Sequence, residues 1–571
     1  MAQFDLVIRN GLVIDGSGGE GRHGDVAVRD GVIAAVGDVE GTADRTIDAD
    51  GAVIAPGFVD IHTHYDGQAT WDEHLAPSAW HGVTTVVMGN CGVGFAPVRA
   101  SDRDRLIELM EGVEDIPGAA LHEGLSWQWE SFAEYLDEVE RRPHDIDVGA
   151  QVPHGALRLY VMGERGANRE PASTDEIEEM GRIAAQAIEA GALGFTTSRT
   201  INHRTSRGEP TPTLTAARDE LVGIARAIGR TDKGVLQVVS DLVDFDEELE
   251  TFRMMVGESG RPLSLSLAQH ARRPLQYRRL LDAFAEANAE GLEMRAQVAA
   301  RAIGILIGLQ ASVNPIARTP TFLRINERGR LPLPALVAEL RKPEVREAIV
   351  DELRAKMRPD SPAADPSRIY PLGEQPDYEP DPSSSVAALA ARQGIDPLDL
   401  LYDLFLEQDG RALLYIPVLN YVDGNLDAVG EMLSHPNAVP GLSDGGAHVG
   451  TICDGSFPTT LLAHWGRDRS RGPKFDVGWL ISRQTRATAE TVGLRDRGLL
   501  APGLRADINV IDVDALTLHS PELSFDLPAG GKRLLQRVDG YLHTFVAGVE
   551  TYANGKTTGE LPGRLVRGAQ S

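Results

Sequence analysis

Two histidines one residue apart, His62 and His64, close the apolar run Gly57-Phe58-Val59-Asp60-Ile61-His62-Thr63-His64-Tyr65-Asp66. The run has the look of a β-strand, and side chains two apart on a strand share a face. Paired imidazoles at the end of a buried strand pack poorly as core. They suit a metal ion, for which neutral imidazole is the commonest protein ligand. The chemistry expected of such a pair is metal-assisted hydrolysis.

Eight short apolar segments precede or separate helical sequence, near Phe58, Val83, Asp147, Leu193, Val235, Leu263, Leu292 and Val439. Ser173 and Glu176 form a capping-box pattern ahead of Ile177, Met180, Ile183 and Ile188, and Gly191 ends that helix. Strands alternating with helices in this way predict an α/β fold, a (β/α)8 TIM-like metallohydrolase barrel. Residues 1–56 instead show short alternating strands (Phe4 to Arg9, Asp25 to Val28, Val32 to Val36) with Asp30-Gly31 as a hairpin signal. Residues 491–571 repeat that style at Ala506 to Asp512 and from His543 to Tyr552, ending in Asn554-Gly555. The two ends are expected to pair into one small β-sandwich beside a barrel at 57–490. A proline-rich stretch of about 300–436, containing the loose segment Arg358 to Ser385, breaks the repeat and is expected to lie as a lid over the catalytic face.

In such a barrel the strand C-termini converge. His62 and His64 end strand one. Cys91, in Met88-Gly89-Asn90-Cys91-Gly92, ends strand two, where a thiolate ligates metal at roughly 2.3 Å. Asp444, in Gly441-Leu442-Ser443-Asp444-Gly445-Gly446-Ala447-His448, ends strand eight. A carboxylate there, between glycines that let a substrate approach, suits both metal binding and removal of a proton from an attacking water.

These positions resemble the amidohydrolase superfamily. They are joined by the phrase Asp5-x-x-Ile8-Arg9-Asn10-Gly11 and the block Val53 to His64. Gly89 to Pro97, Ser443 to His448, Gly498 to Asp507 and Val546-Ala547-Gly548 with Asn554-Gly555 make the chain similar to the N-acyl-D-amino-acid deacylase (D-aminoacylase) group. The resemblance implies a zinc-dependent hydrolase of an amide bond, with an N-acyl amino acid as substrate and Asp444 as catalytic acid and base. It also implies histidines at the ends of strands five and six. Strand five instead reads Val235-Leu236-Gln237-Val238-Val239-Ser240-Asp241, and in strand six His270 falls late. Strand four lacks the lysine that many binuclear members use to bridge two metals. The remaining set, His62, His64, Asp444 and Cys91, suffices for one zinc with an open position; a second ion is the alternative. A cyclic-amide hydrolase and a catalytically silent scaffold are the rival readings.

Loop residues complete the candidate list. His154 and His203 follow strands three and four as substrate-binding candidates. Arg199, Arg204 and Arg158 are candidates to clamp a substrate carboxylate. Trp127 and Trp129 stand either against an acyl pocket or in the core. The 571 residues carry a formal charge of −28, which disfavours nucleic acid and anionic membrane surfaces as partners. The expected partner is a small-molecule amide, and the exposed flanks leave room for a homo-oligomer. With two cysteines, Cys91 and Cys453, no disulfide framework is expected. The start of the chain has neither a basic nor an apolar leader region, so the expected compartment is the cytoplasm.

Overall fold

The structure is a computed structural model that describes residues 2–329, 331–356 and 365–568. At its centre lies an eight-stranded parallel sheet in sequential order. The strands are Phe58–Asp60, Val83–Met88, Asp147–Pro153, Gly194–Arg199, Val235–Ser240, Leu263–Leu267, Met294–Val298 and Ala438–Pro440. They fall where the eight apolar segments of the sequence predicted them. The sheet curls until its ends meet just beyond the strand C-termini. There Thr63 bridges Gly445 in parallel, the Asp444 amide donates to His62 O (3.1 Å), and the His64 amide donates to Gly445 O (2.8 Å).

The outer helices form for the local reasons their sequences advertise. Ser173 Oγ accepts from the Glu176 amide (3.3 Å) while the Glu176 carboxylate accepts from the Ser173 amide (2.7 Å). The helix Thr174–Ala190 then buries Met180, Ala184, Ala187 and Ile188 along one stripe and stops at left-handed Gly191. Helices Arg218–Gly229, Phe245–Ser259 and Gln276–Ala289 follow the fourth, fifth and sixth strands in the same manner.

Both chain ends enter one nine-stranded sheet. Ile508–Ile511 pairs with Val53–Pro56 on one side and with Tyr541–Val546 on the other, so late residues complete a sheet begun by early ones. Asp30 and Gly31 both take positive φ (52° and 74°), the two-residue hairpin geometry their types favour. Leu6, Ile8, Val26, Ile33, Ile508 and Phe545 share the apolar core of this sheet. A buried ionic cluster ties the sheet to the floor of the curled sheet. Asp147, first residue of the third strand, accepts from Arg497 (2.8 Å) and Arg505 (2.9 Å), and Arg505 also faces Asp507 (3.2 Å).

The segment between the seventh and eighth strands has an apolar core of its own. Ile303–Ile307, Tyr370–Pro371 and Leu414–Leu419 form a three-stranded sheet. Ile307, Phe322, Leu336, Ile349, Leu401 and Phe405 pack together around it. Its edge docks on the loop after the eighth strand, through Leu306 N to Thr451 O (2.7 Å) and Ser312 N to Gly450 O (2.9 Å). Of the segment Arg358 to Ser385, residues 358–364 lie outside the described residues.

Candidate metal centre

Thr63 turns outward and its hydroxyl donates to Val87 O (2.9 Å), which leaves His62 and His64 on the opposite, inward side. Each imidazole is essentially sealed from solvent. His62 Nδ1 donates to Gln297 Oε1 (2.6 Å), whose own amide is spent on Ser264 Oγ (2.9 Å). That assignment fixes the tautomer and aims the Nε2 lone pair into the site.

The turn carrying Cys91 is pressed onto the neighbouring strands. Gly89 has φ of +83°, and a Cβ there would stand 2.2 Å from Gln151 O, so only glycine fits. Asn90 ties the turn to Thr63 O (3.2 Å) and Val87 O (2.9 Å), and the Cys91 amide donates to Gln237 Oε1 (3.2 Å). Cys91 Sγ thereby reaches 3.2 Å from His62 Nε2. On the far side of the seam, Asp444 takes φ of +47° and presents Oδ1 at 3.4 Å from His62 Nε2 and 3.6 Å from His64 Nε2. Next to it Gly446 lies so close to the His64 backbone that a Cβ would meet it at 3.0 Å.

His62, His64 and Cys91 place one donor atom each within 4.8 Å of one another, the one such group among the described residues. Zinc bonds of about 2.0–2.3 Å set tetrahedral donor separations of about 3.3–3.8 Å, the range in which Asp444 Oδ1 stands from both imidazoles. Neither nitrogen of His64 has a hydrogen-bond partner, although both are buried. A buried donor and acceptor left open in this way fit an ion and its surroundings.

Charge in the site follows the same logic. Burial pushes the Cys91 thiol well up, and the carboxylates of Glu114, Asp444 and Asp66 push it further. Without a cation the protonated form of the thiol is favoured, with Sγ against His62 Nε2 (3.2 Å). Burial would also raise Asp444, but the imidazoles of His64, His62 and His448 outweigh it and hold the carboxylate far below its usual range. Burial drives His62 and His64 downward, toward the neutral form that ligates.

Of the loop candidates, only His203 joins the centre. Its Nδ1 meets Ser198 Oγ (2.9 Å), and burial, with His448 and His64 nearby, lowers its pKa to about 3. His154 is corrected: it is fully buried with both nitrogens taken, by Thr197 Oγ1 (2.8 Å) and Glu220 Oε1 (2.9 Å). Arg158 shares Glu220 in that cluster (2.8 Å), where no substrate reaches it. Arg199 is corrected too, because its guanidinium caps Ala216 O (2.6 Å) and faces Glu248 (3.5 Å). Arg204 is bound to Gly208 O (2.9 Å) among exposed residues. Trp127 and Trp129 stack at 5.5 Å, and Trp129 donates to Phe95 O (2.8 Å) as a core residue. His270 lies beside Asp241 and Arg273, outside the donor group.

Two residues at the centre carried no assignment from the sequence. Glu114 ends the helix Arg103–Glu114, fully buried, with Oε1 3.4 Å from His64 Nδ1 and Oε2 3.5 Å from His448 Nε2. His448 stands in the glycine-rich motif but its role was not read. The available signal for Glu114 was a carboxylate at a helix C-terminus, where the helix dipole opposes it.

Residues 45–558 match the model of the amidohydrolase family. An uncharacterised protein of Mycobacterium tuberculosis (strain ATCC 25618 / H37Rv) is 26% identical over 98% of this chain and 93% of its own. Among solved structures, a D-aminoacylase with a binuclear metal centre superposes with a TM-score of 0.65 at 23% identity, covering 99% of this chain and 100% of that one. The N-acyl-D-glutamate deacylase of Bordetella bronchiseptica, solved with zinc and a phosphonate inhibitor, gives a TM-score of 0.65 at 23% identity, covering 99% of each chain.

Proposed function

This chain belongs to the amidohydrolase family, and on that premise we propose that it is a zinc-dependent hydrolase of the amide bond of N-acyl amino acids. The curled sheet is taken as a (β/α)8 barrel (57–490) with a β-sandwich of 1–56 and 491–571, working in the cytoplasm on a small-molecule substrate. The observation that carries the reading is the convergence of His62 Nε2, His64 Nε2, Cys91 Sγ and Asp444 Oδ1 across the seam between the first and last strands. The deacylases that share its fold support the substrate class.

Those four residues would hold one ion, since Gln237 and the serines of the sixth strand stand where further histidine ligands would be needed. A bound zinc supplies polarisation of the scissile carbonyl and acidification of water. Asp444 is the most open member of the set, with 18% of its side chain exposed against 1% for each histidine, so it meets the substrate. Held ionised by the imidazoles around it, Asp444 takes the proton of the attacking water and returns it to the departing amine. His203 and His448 flank it as neutral rings, able to donate one hydrogen bond each to substrate oxygens.

The test is zinc per chain by elemental mass spectrometry on wild type and Asp444→Ala, with turnover on a panel of N-acyl-D-amino acids. About one zinc in wild type, less in the variant, and loss of turnover are expected. Turnover of the variant within about tenfold of wild type, some 1.4 kcal/mol of barrier, would refute the role given to Asp444.

A further inference from the structure

The two histidines are not held alike. His62 gives its Nδ1 proton to a neutral amide, Gln297, whereas the nearest group to His64 Nδ1 is the carboxylate of Glu114 at 3.4 Å. That carboxylate is fully buried, both of its oxygens lack a hydrogen-bond partner, and among the described residues no lysine or arginine pairs with it. Local structure does not select it either, because a negative charge at the C-terminal end of Arg103–Glu114 opposes the helix dipole. Its position is nonetheless fixed: the Glu114 carbonyl accepts the His448 amide, and the next residue, Asp115, accepts the Gly450 amide (3.2 Å).

We propose that Glu114 is a positioning residue that holds His64 in the tautomer and orientation needed to bind the metal. With its Nδ1 held against Glu114 (3.4 Å), His64 presents the Nε2 lone pair toward Asp444 and Cys91. A carboxylate partner also raises the basicity of the ring. Glu114 is not itself a ligand, since it lies against Nδ1 of His64 whereas Asp444 lies against Nε2. The inference rests on the metal-binding part of the proposed function, and its own failure is separable from that of the larger reading.

The experiment measures zinc dissociation constants by chelator competition, and thermal midpoints with and without zinc, for wild type and Glu114→Gln. The amide keeps the shape and removes the charge. The dissociation constant should rise 10- to 100-fold. The metal-free variant should melt near the wild-type temperature, because the amide keeps the shape of a group that has no hydrogen-bond partner to lose. A purely structural carboxylate would instead give a lower metal-free midpoint. An affinity within threefold of wild type, a lower metal-free midpoint, or failure of the variant to fold would each overturn the inference. Absence of zinc binding by wild type would overturn the proposed function itself.

Discussion

Replacing Asp147 with asparagine tests whether the terminal sheet is anchored to the curled sheet by charge. Asp147 is completely buried and accepts from Arg497 (2.8 Å), Arg505 (2.9 Å) and the Arg564 amide (2.9 Å). Arg497 is 1% exposed and Arg505 9%, so neither guanidinium finds water when its partner goes. Each charge-assisted hydrogen bond is worth about 1.5–3 kcal/mol, and breaking a buried pair costs about 3–5 kcal/mol. One compensation is built in. Burial, with a contribution from Asp147, raises the pKa of Asp507 against the pull of Arg505 and Arg497. Removing Asp147 lets Asp507 ionise more fully, which brings the expected loss to about 3 kcal/mol, the low end of the range for a broken buried pair. Urea unfolding followed by tryptophan fluorescence should show a lower midpoint at unchanged slope. Asp232→Asn, at a side chain 94% exposed, serves as the control and should stay within about 0.5 kcal/mol. A loss below about 1 kcal/mol for Asp147→Asn would refute the anchoring argument.

Two further outcomes follow from described geometry. Glu379 joins the inserted unit to the main body by accepting from Arg469 (3.1 Å), His464 (3.0 Å) and the Leu426 amide (2.8 Å). Burial would raise its pKa, but those partners win and lower it from 4.5 to about 2. A depressed carboxylate stabilises fully above the unfolded value and loses that contribution as pH falls through the folded one. Wild type should therefore lose stability steeply between pH 4.5 and 2, and Glu379→Gln should flatten that slope in acid-unfolding curves; equal slopes would count against the network. Gly89→Ala and Gly503→Ala both force alanine to a φ near +85° (83° and 89°), but only the first meets backbone, at 2.2 Å; the second has nothing within 4 Å. Gly503→Ala should cost about 1–2 kcal/mol, whereas Gly89→Ala should cost more and also lower zinc content by displacing the Cys91 turn. Equal costs with unchanged zinc would contradict the packing argument.

The eight parallel strands were legible because each is a short apolar run bounded by turn residues and followed by a helical stripe, a pattern that survives without tertiary information. The pairing of the two chain ends was legible for the same reason, since strand style recurs at 1–56 and 506–557. The approach of His62, His64, Cys91 and Asp444 followed from their places at strand ends. Side-chain direction was not legible. His154 sits one residue past a strand end, yet Glu220, on the helix after the fourth strand, turns it into the packing. Arg199 likewise is captured by a loop carbonyl, Ala216 O, and by Glu248 on a later helix. Gln297 and Gln237, which carried no assignment from the sequence, brace His62 and the Cys91 amide. Glu114 escaped notice because its role depends on a helix end meeting the first strand, and an acidic residue at a helix C-terminus does not say what it meets.

The shared terminal sheet also sets an order of events during synthesis. Val53–Pro56 can pair with Ile508–Ile511 only after the latter has left the ribosome. At about 5–20 residues per second, the roughly 450 intervening residues take some 20–90 s to make. Throughout that interval the early strands present an open, apolar sheet edge, the kind of surface on which nascent chains associate with one another. Yield in the cell should accordingly depend on how well that edge is shielded while translation proceeds, and slowing the ribosome over the central segment should lengthen the vulnerable period without altering the finished protein.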